Sequence, residues 1–272
     1  MCGRMTLTRS GSEIAEYFAL AMSEDGEEEC LTELDGQPLR PRFNIAPSQW
    51  VPTVLRTSGG NRTFEWKQWG LIPSWSSSPT MGGPTMGGRL FNARSETAHK
   101  KPSFRSAWKR RRCLVVADGF YEWTPKNRDH QPYYFHASAT SLLAFAGLYE
   151  EWRGEGGDVI ESCTVLTTSA NADLEGVHHR MPVILDATVF DDWLDPEAEL
   201  EGLKRMMVPA AVGTLKRHPV DRAVNRPQFD QPNCVLPVSE SHASQVGIPA
   251  TNEGEAQTQG DLFTSQDENN HE

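Results

Sequence analysis

The first four residues, Met1-Cys2-Gly3-Arg4, hold the most unusual chemistry in the chain. Removal of Met1, which the small side chain of Cys2 favours, leaves an α-amine and a thiol on adjacent carbons. Their ordinary pKa values of about 7.7–8.0 and about 8.5 leave both partly deprotonated near neutral pH. The amine can condense with an aldehyde to a Schiff base, and the sulfur can then close a five-membered thiazolidine ring. Alternatively, the amine can act as the base for its own thiol, as in N-terminal nucleophile hydrolases. Gly3 permits close backbone approach, and Arg4 offers a forked donor to phosphate. Three further polar elements interrupt apolar runs: Asn92 between Phe91 and Ala93, Glu122 between Tyr121 and Trp123, and His178-His179-Arg180 at the start of an apolar strand. Singly they read as a turn residue, an edge-strand carboxylate and a structural histidine. Together with Cys2 they form an acid–base set of the kind that nucleophilic and proton-transfer chemistry needs. A carboxylate beside Trp123 is expected to have a raised pKa through desolvation, and a histidine titrates in the useful range.

The elements that must position these groups follow from periodicity. Residues 1–9 read as a strand with Cys2 at its free end. Ser12 is expected to cap a helix from Glu13 to about Met22, with Ile14, Tyr17, Phe18 and Leu20 on its apolar face. Ser23–Gly36 reads as an acidic loop, and Arg40–Pro47 as too proline-rich for regular structure. Val51–Leu55 and Thr63–Trp69 read as a hairpin turning at Gly59-Gly60-Asn61. Pro-Thr-Met-Gly-Gly occurs twice in tandem at 79–83 and 84–88, so 76–88 reads as a flexible insert. A short helix is expected around Phe104–Lys109. Strands are expected at Cys113–Ala117, Pro132–His136, Leu142–Tyr149 and Val159–Thr168. A helical turn in Ser169–Gly176, helices at Ala187–Leu194 and Pro196–Met206, and a closing strand at Cys234–Val238 complete the ordered region. From about residue 239 the chain is polar, acidic and nearly free of large apolar residues, and reads as a disordered tail.

Composition narrows the classes. No run approaches the ~18 apolar residues of a membrane span, and nothing resembles a signal peptide, so a cytoplasmic location is expected. The five scattered cysteines contain no CxxC pair. They argue against a disulfide framework and a structural zinc site, and Cys113 and Cys163 read as buried core. The net charge of −11 argues against nucleic acid as a partner, but its distribution does not. Seven acids and no Lys or Arg fall in 240–272, and seven more acids in 24–35, whereas Arg94–Arg112 carries eight basic residues against Glu96 alone. Arginines outnumber lysines 19 to 7. This suits a protein of high-salt surroundings and equally GC-rich coding.

The motifs together resemble the SRAP (SOS response-associated peptidase) family, whose members shield abasic sites in single-stranded DNA. The matching stretches are Met1-Cys-Gly-Arg4, Arg42-Phe-Asn-Ile-Ala-Pro47, Trp69-Gly-Leu-Ile-Pro-Ser-Trp75, Phe91-Asn-Ala-Arg-Ser-Glu-Thr97, Ala117-Asp-Gly-Phe-Tyr-Glu-Trp123, His178-His-Arg-Met-Pro182 and His218-Pro-Val220. They cover residues 1 to about 238, the expected SRAP domain, leaving 239–272 as the tail. The resemblance implies that the Cys2 amine attacks the ring-opened aldehyde of an abasic site and the thiol closes a thiazolidine. It gives Asn92 the orientation of the amine, Glu122 proton transfer at the amine or sugar, and His178 acid–base work on the ring-opened sugar oxygen, with His179 the lesser candidate. Arg4, Arg94 and Arg180 match positions that grip phosphates. Pro47 and Trp75 match residues that wedge or stack against bases; Trp123 stacks or packs, and Thr167 ends a strand near the site. The tandem insert departs from the family's pattern, and the acidic tail predicts weaker nonspecific DNA binding at low salt.

Two other readings stay open at this point. Cys2, Glu122 and His178 could serve a cysteine peptidase or amidohydrolase, including one confined to self-processing, or Cys2 could be incidental to a noncovalent DNA- or nucleotide-binding module. The expected fold is α+β, a mostly antiparallel, barrel-like β core with peripheral helices. Neither a metal nor an organic cofactor is expected, nor a membrane partner. The expected partner is single-stranded DNA containing abasic sites, with a monomeric protein that is nucleoid-associated if the source is a prokaryote. Gln259-Gly-Asp-Leu-Phe263 faintly resembles a sliding-clamp-binding peptide without its second aromatic.

Overall fold

A computed structural model describes residues 2–20, 39–78, 90–126, 129–138 and 142–238. In chain order the regular elements are β1 (Met5–Leu7), α1 (Gly11–Phe18), β2 (Arg42–Ile45), β3 (Trp50–Arg56), β4 (Arg62–Trp69), β5 (Asn92–Arg94), α2 (Ser95–Ala98), α3 (Arg105–Arg110), β6 (Arg112–Ala117), β7 (Gly119–Trp123), β8 (Pro132–Ala137), β9 (Leu143–Arg153), β10 (Val159–Ser169), β11 (Arg180–Pro182), β12 (Ile184–Leu185), α4 (Phe190–Leu194), α5 (Leu200–Arg205) and β13 (Leu215–Pro219).

Strand pairing closes a barrel. β3 pairs with β4 and β6, β6 with β9, β9 with β10, and β10 returns to β4. The β4–β10 contact is parallel and the other four are antiparallel. This is the α+β, barrel-like architecture the sequence led us to expect. Closure removes free edges from the central strands, and their alternating apolar residues fill the interior. Cys113, Val115, Phe145, Cys163 and Val165 are all buried there. At Gly147 a Cβ would lie 2.7 Å from Cys113 Sγ, so only glycine fits opposite that cysteine. A second antiparallel sheet runs β13-β8-β7-β1-β2. The two sheets share a chain segment, because β6 ends at Ala117 and β7 starts at Gly119. The joint, Asp118, is buried and accepts from Thr8 N (2.6 Å), Thr8 Oγ1 (2.5 Å) and Thr6 Oγ1. It thereby ties β1, and the amino-terminal residues before it, to β7.

Most expected strands form within a residue or two of their predicted bounds, but several local readings are corrected. Arg42–Ile45 is a strand despite its flanking prolines, because it pairs with β1 through Met5–Ile45 and Leu7–Arg42. Helix α1 starts earlier than expected. Ser10 rather than Ser12 caps it, in a capping box closed by Glu13, and Ala19 ends it in the left-handed region. Pro232–Val235 is a 3-10 turn and not a strand, and only Pro237 bridges to Val220. Strand β13 was not anticipated. The helices expected at 187–194 and 196–206 are shorter, with a 3-10 turn at Ala187–Val189 preceding α4 and with α5 confined to Leu200–Arg205. No helix among the described residues is long and apolar enough to cross a membrane. The tandem repeat, the acidic loop, the tail and its clamp-like peptide lie outside the described residues.

Candidate active site

The site lies where the two sheets meet. β1 and β7 bring Cys2 and Glu122 from one sheet; β5 and the segment before β11 bring Asn92 and His178 from the other. Tyr121 N donates to Arg4 O at 3.0 Å, so the chain carrying Cys2 continues the β1–β7 pairing past Met5–Phe120 and runs beside Glu122. β5 pairs in parallel with β10 through Asn92–Val165, and β11 pairs antiparallel with the same strand through Ser169–Arg180. β10 therefore fixes Asn92 and the His178 segment relative to one another.

Cys2 is fully buried, and Asn92 Nδ2 donates to its carbonyl oxygen at 2.6 Å. Asn92 Oδ1 is buried with no hydrogen-bond partner among the described residues. Glu122 is 2% exposed and burial pushes its carboxyl up to about 7, against the pull of the amino-terminal charge and the Trp123 backbone. His178 Nδ1 lies 3.8 Å from Glu122 Oε1. The imidazole moves the other way, down to about 4, because burial and then the amino-terminal charge disfavour its cation. The ordinary order of the two groups is thus inverted. At neutral pH the imidazole is uncharged and the carboxyl is close to half protonated, so their proximity is not an ion pair. His178 Nδ1 lies 3.0 Å from both the backbone N–H and the carbonyl oxygen of Arg180, so the Arg180 backbone can serve either tautomer. His179 stacks on His178 with ring centroids 4.6 Å apart and is itself exposed. The Cys2 thiol is raised by burial and further by the Glu122 charge.

The flanking residues separate into two groups. Arg94 and Trp75 are exposed, Trp75 at 60%, and Pro47 is half-buried. Arg4, Trp123, Thr167 and Arg180 are engaged within the protein. Arg4 Nη1 donates to Asn44 Oδ1 at 2.6 Å and to Val224 O at 2.5 Å, Nη2 donates to Asn225 O at 3.1 Å, and the guanidinium lies over Trp123 at 6.0 Å. Trp123 Nε1 donates to Asn225 Oδ1 at 2.7 Å. Arg180 holds Glu96 in a two-pronged ion pair, at 2.5 and 3.0 Å, and also donates to the carbonyl of buried Thr167. Sequence reasoning gave no role to Asn44, Glu96 or Asp118. Buried Asn44 donates from Nδ2 to Val224 O, Arg226 O and Phe229 O, anchoring the carboxy-terminal strap under Arg4. Its only sequence signal is a polar residue inside Arg42-Phe-Asn-Ile-Ala-Pro47. Among the described residues no cluster of three or more His, Cys, Asp or Glu could hold a metal ion.

A closed barrel backed by a second sheet, with Cys2, Asn92, Glu122 and His178 at the seam, defines the class. The sequence matches the profile of the SOS response associated peptidase (SRAP) family over residues 1–227, and the chain belongs to that family. The abasic site processing protein YoqW of Bacillus subtilis (strain 168) is 34% identical over 247 residues, which covers 89% of this chain and 100% of the relative. The abasic site processing protein HMCES of Gallus gallus is 27% identical over 277 residues, 92% of this chain and 80% of the relative. Among solved structures, a protein from Bacteroides thetaiotaomicron superposes with a TM-score of 0.74 at 22% identity, covering 88% of this chain and 100% of that one. At that identity the likeness speaks for the fold alone.

Proposed function

We propose that this protein captures abasic sites in single-stranded DNA as a covalent thiazolidine through Cys2, after removal of Met1. Its relatives YoqW and HMCES are abasic site processing proteins. The observation that carries the reading is the grip of Asn92 on Cys2. One end of the amide holds the Cys2 carbonyl at 2.6 Å, while the other is a buried acceptor without a partner among the described residues. A freed Cys2 amine is the donor that this acceptor suits.

The chemistry balances without a cofactor. The amine adds to the aldehyde carbon of the ring-opened sugar and forms a carbinolamine. Loss of water gives the Schiff base, and the thiol adds across C=N, its proton ending on nitrogen. One C–N and one C–S bond form, and one water leaves. Glu122, poised at about 7, takes the proton from the Cys2 ammonium and returns it to the departing hydroxyl. Neutral His178 hydrogen-bonds the sugar oxygen released by ring opening. Arg94 and Trp75 are free for phosphate and base; Arg180 reaches phosphate by exchanging its Glu96 partner. Arg4, Trp123 and Thr167, held by contacts within the protein, support the site, and half-buried Pro47 is assigned to wedge or stack against a base. A cysteine peptidase needs a thiolate stabilised by a neighbouring cation. Burial drives the Cys2 thiol up and keeps His178 uncharged, so the site's electrostatics favour amine-first capture.

Denaturing electrophoresis of the Met1-processed protein with single-stranded DNA bearing one abasic site is the test. We expect a heat- and detergent-stable adduct that disappears with Cys2→Ala, with Cys2→Ser replaced by a labile imine, and with an uncleaved amino-terminal extension. Failure to form any adduct, or one that survives Cys2→Ala, overturns the reading.

A further inference from the structure

The surface beyond the pocket carries a run of cations that the protein leaves unneutralised. Lys100, Lys101, Arg105 and Lys109 are all exposed and follow Arg94 through α2 and α3. Helix α3 turns Ala107 and Trp108 into the core, which leaves Arg105 and Lys109 facing outward four residues apart. Arg105 N donates to Lys101 O at 2.8 Å, so Lys101 precedes them one turn earlier in the same file. Like charges at this spacing destabilise a helix. Among the described residues none of the four, nor Arg94, has a carboxylate within ion-pair distance. Other cations are paired, Arg9 with Glu13 at 3.3 Å, Arg110 with Glu197 at 3.7 Å, Arg153 with Glu151 at 2.6 Å and Lys204 with Glu201 at 2.6 Å; exposed Lys126, Arg205, Lys216 and Arg217 have no ion pair among the described residues, and the run after Arg94 differs from them in being clustered and in starting beside the pocket. Among the described residues no carboxylate is placed against this run.

The run also leads somewhere. It begins two residues after Asn92, at the pocket. Helix α2 packs on β10, and α3 packs on β9 and β6. Those three strands are successive neighbours in the barrel wall, so the cations step outward around the barrel from the site. We propose that Lys100, Lys101, Arg105 and Lys109 form a track for the phosphate backbone of the lesion-bearing DNA strand as it leaves the pocket. The track carries no side chain placed to read a base, so it binds independently of sequence. This rests on the reading that the pocket receives abasic DNA.

The test is a salt titration of noncovalent binding, by fluorescence anisotropy, to single-stranded oligonucleotides bearing a tetrahydrofuran abasic analogue. That analogue has no aldehyde, so crosslinking does not contribute. The quadruple variant Lys100→Gln, Lys101→Gln, Arg105→Gln, Lys109→Gln is compared with wild type and with a control that neutralises the paired cations Arg9, Arg110, Arg153 and Lys204. On a long oligonucleotide the track variant should lose at least about tenfold in affinity at low salt, and the slope of log K against log salt should flatten by about 3, from about 0.7 per phosphate contact. On an oligonucleotide too short to leave the pocket its affinity should match wild type, and the control should keep the wild-type slope on both. An unchanged slope, an equal flattening in the control, or an equal loss on the short oligonucleotide overturns the track. Failure of the capture reading is read separately: an aldehyde-bearing oligonucleotide then gives no adduct, whatever the slopes.

Discussion

Arg112 and the Cys2 pocket are both polar groupings sunk in the same barrel, and they differ in how completely they are satisfied. Arg112 is 3% exposed and spends its guanidinium on four carbonyls: Trp193 O at 2.7 Å, Trp108 O at 2.8 Å, Lys109 O at 2.6 Å and Asp195 O. Those oxygens belong to the last turns of α3 and α4, where helix carbonyls have no intrahelical partner and the dipole is negative. One cation thus closes two helix ends and pins both to the barrel. The Cys2 pocket has the opposite character. Asn92 Oδ1 is buried without a partner among the described residues, and Glu122 and His178 are held with their pKa order inverted. Complete satisfaction suits a group that holds the fold, whereas an unfilled acceptor beside perturbed titrating groups suits the capture role proposed for the pocket.

The largest effect should come from breaking the satisfied cluster. Arg112→Leu leaves four carbonyls without a donor, and urea unfolding should show a loss of about 3–5 kcal/mol. At a temperature where the variant is folded, its rate of DNA capture should match wild type. A stability loss below about 1 kcal/mol would mean that Arg112 is no anchor and would collapse the contrast. Glu122→Gln should do the reverse. The folded state holds the Glu122 proton up to about 7, while the unfolded chain releases it near 4.5, so stability declines as pH rises between those values. The neutral variant should equal wild type near pH 4 and exceed it near pH 8 by up to about 3 kcal/mol. Its capture rate should meanwhile fall by about 100-fold. Denaturant titrations at both pH values decide this, and a Gln variant no more stable at the higher pH would refute the buried carboxyl.

The inverted order yields a smaller and more diagnostic effect. Capture rate should rise with pH through a midpoint near 7 that belongs to Glu122. In His178→Gln the rate should drop while that midpoint stays, because His178 titrates near 4. Loss of the midpoint in His178→Gln would assign the titration to the imidazole and restore the ordinary order.

Much of the barrel was legible because its strands are apolar or β-branched runs bounded by turns, as in Cys113–Ala117 and Val159–Thr168. The pocket members stood out for the converse reason, being polar residues inside such runs. What local pattern could not supply is partnership at long range. Arg42–Ile45 looks irregular between its prolines and is a strand because β1 lies alongside it. Cys234–Val238 has strand-like composition, but Pro232 opens a 3-10 turn there and leaves no ladder to join. Arg180 reads as a surface phosphate grip until Glu96, 84 residues away in sequence, is seen to occupy it. Lys67 gave no sign of burial, yet it is fully enclosed between Glu65 at 2.8 Å and Glu161 at 3.2 Å. His178 was expected to titrate in the neutral range, and only its three-dimensional surroundings move it out.

The finest distinction between the two clusters falls on Asn92. Asn92→Ala removes a 2.6 Å hydrogen bond to the Cys2 carbonyl and also removes a buried oxygen that lacks a partner. The lost bond and the relieved desolvation are each about 1 kcal/mol and opposite in sign, so stability should change by less than about 1 kcal/mol. Capture should slow by about 10- to 100-fold, because the amine loses its orientation. Asn92→Asp separates orientation from charge. It keeps the acceptor and loses the donor, and a second carboxylate near Glu122 should push the capture midpoint upward. Thermal melts and single-turnover capture rates on the same preparations measure both quantities. If Asn92→Ala destabilises as strongly as Arg112→Leu, then Asn92 is one more structural clamp, and the incompleteness of the pocket has no bearing on its chemistry.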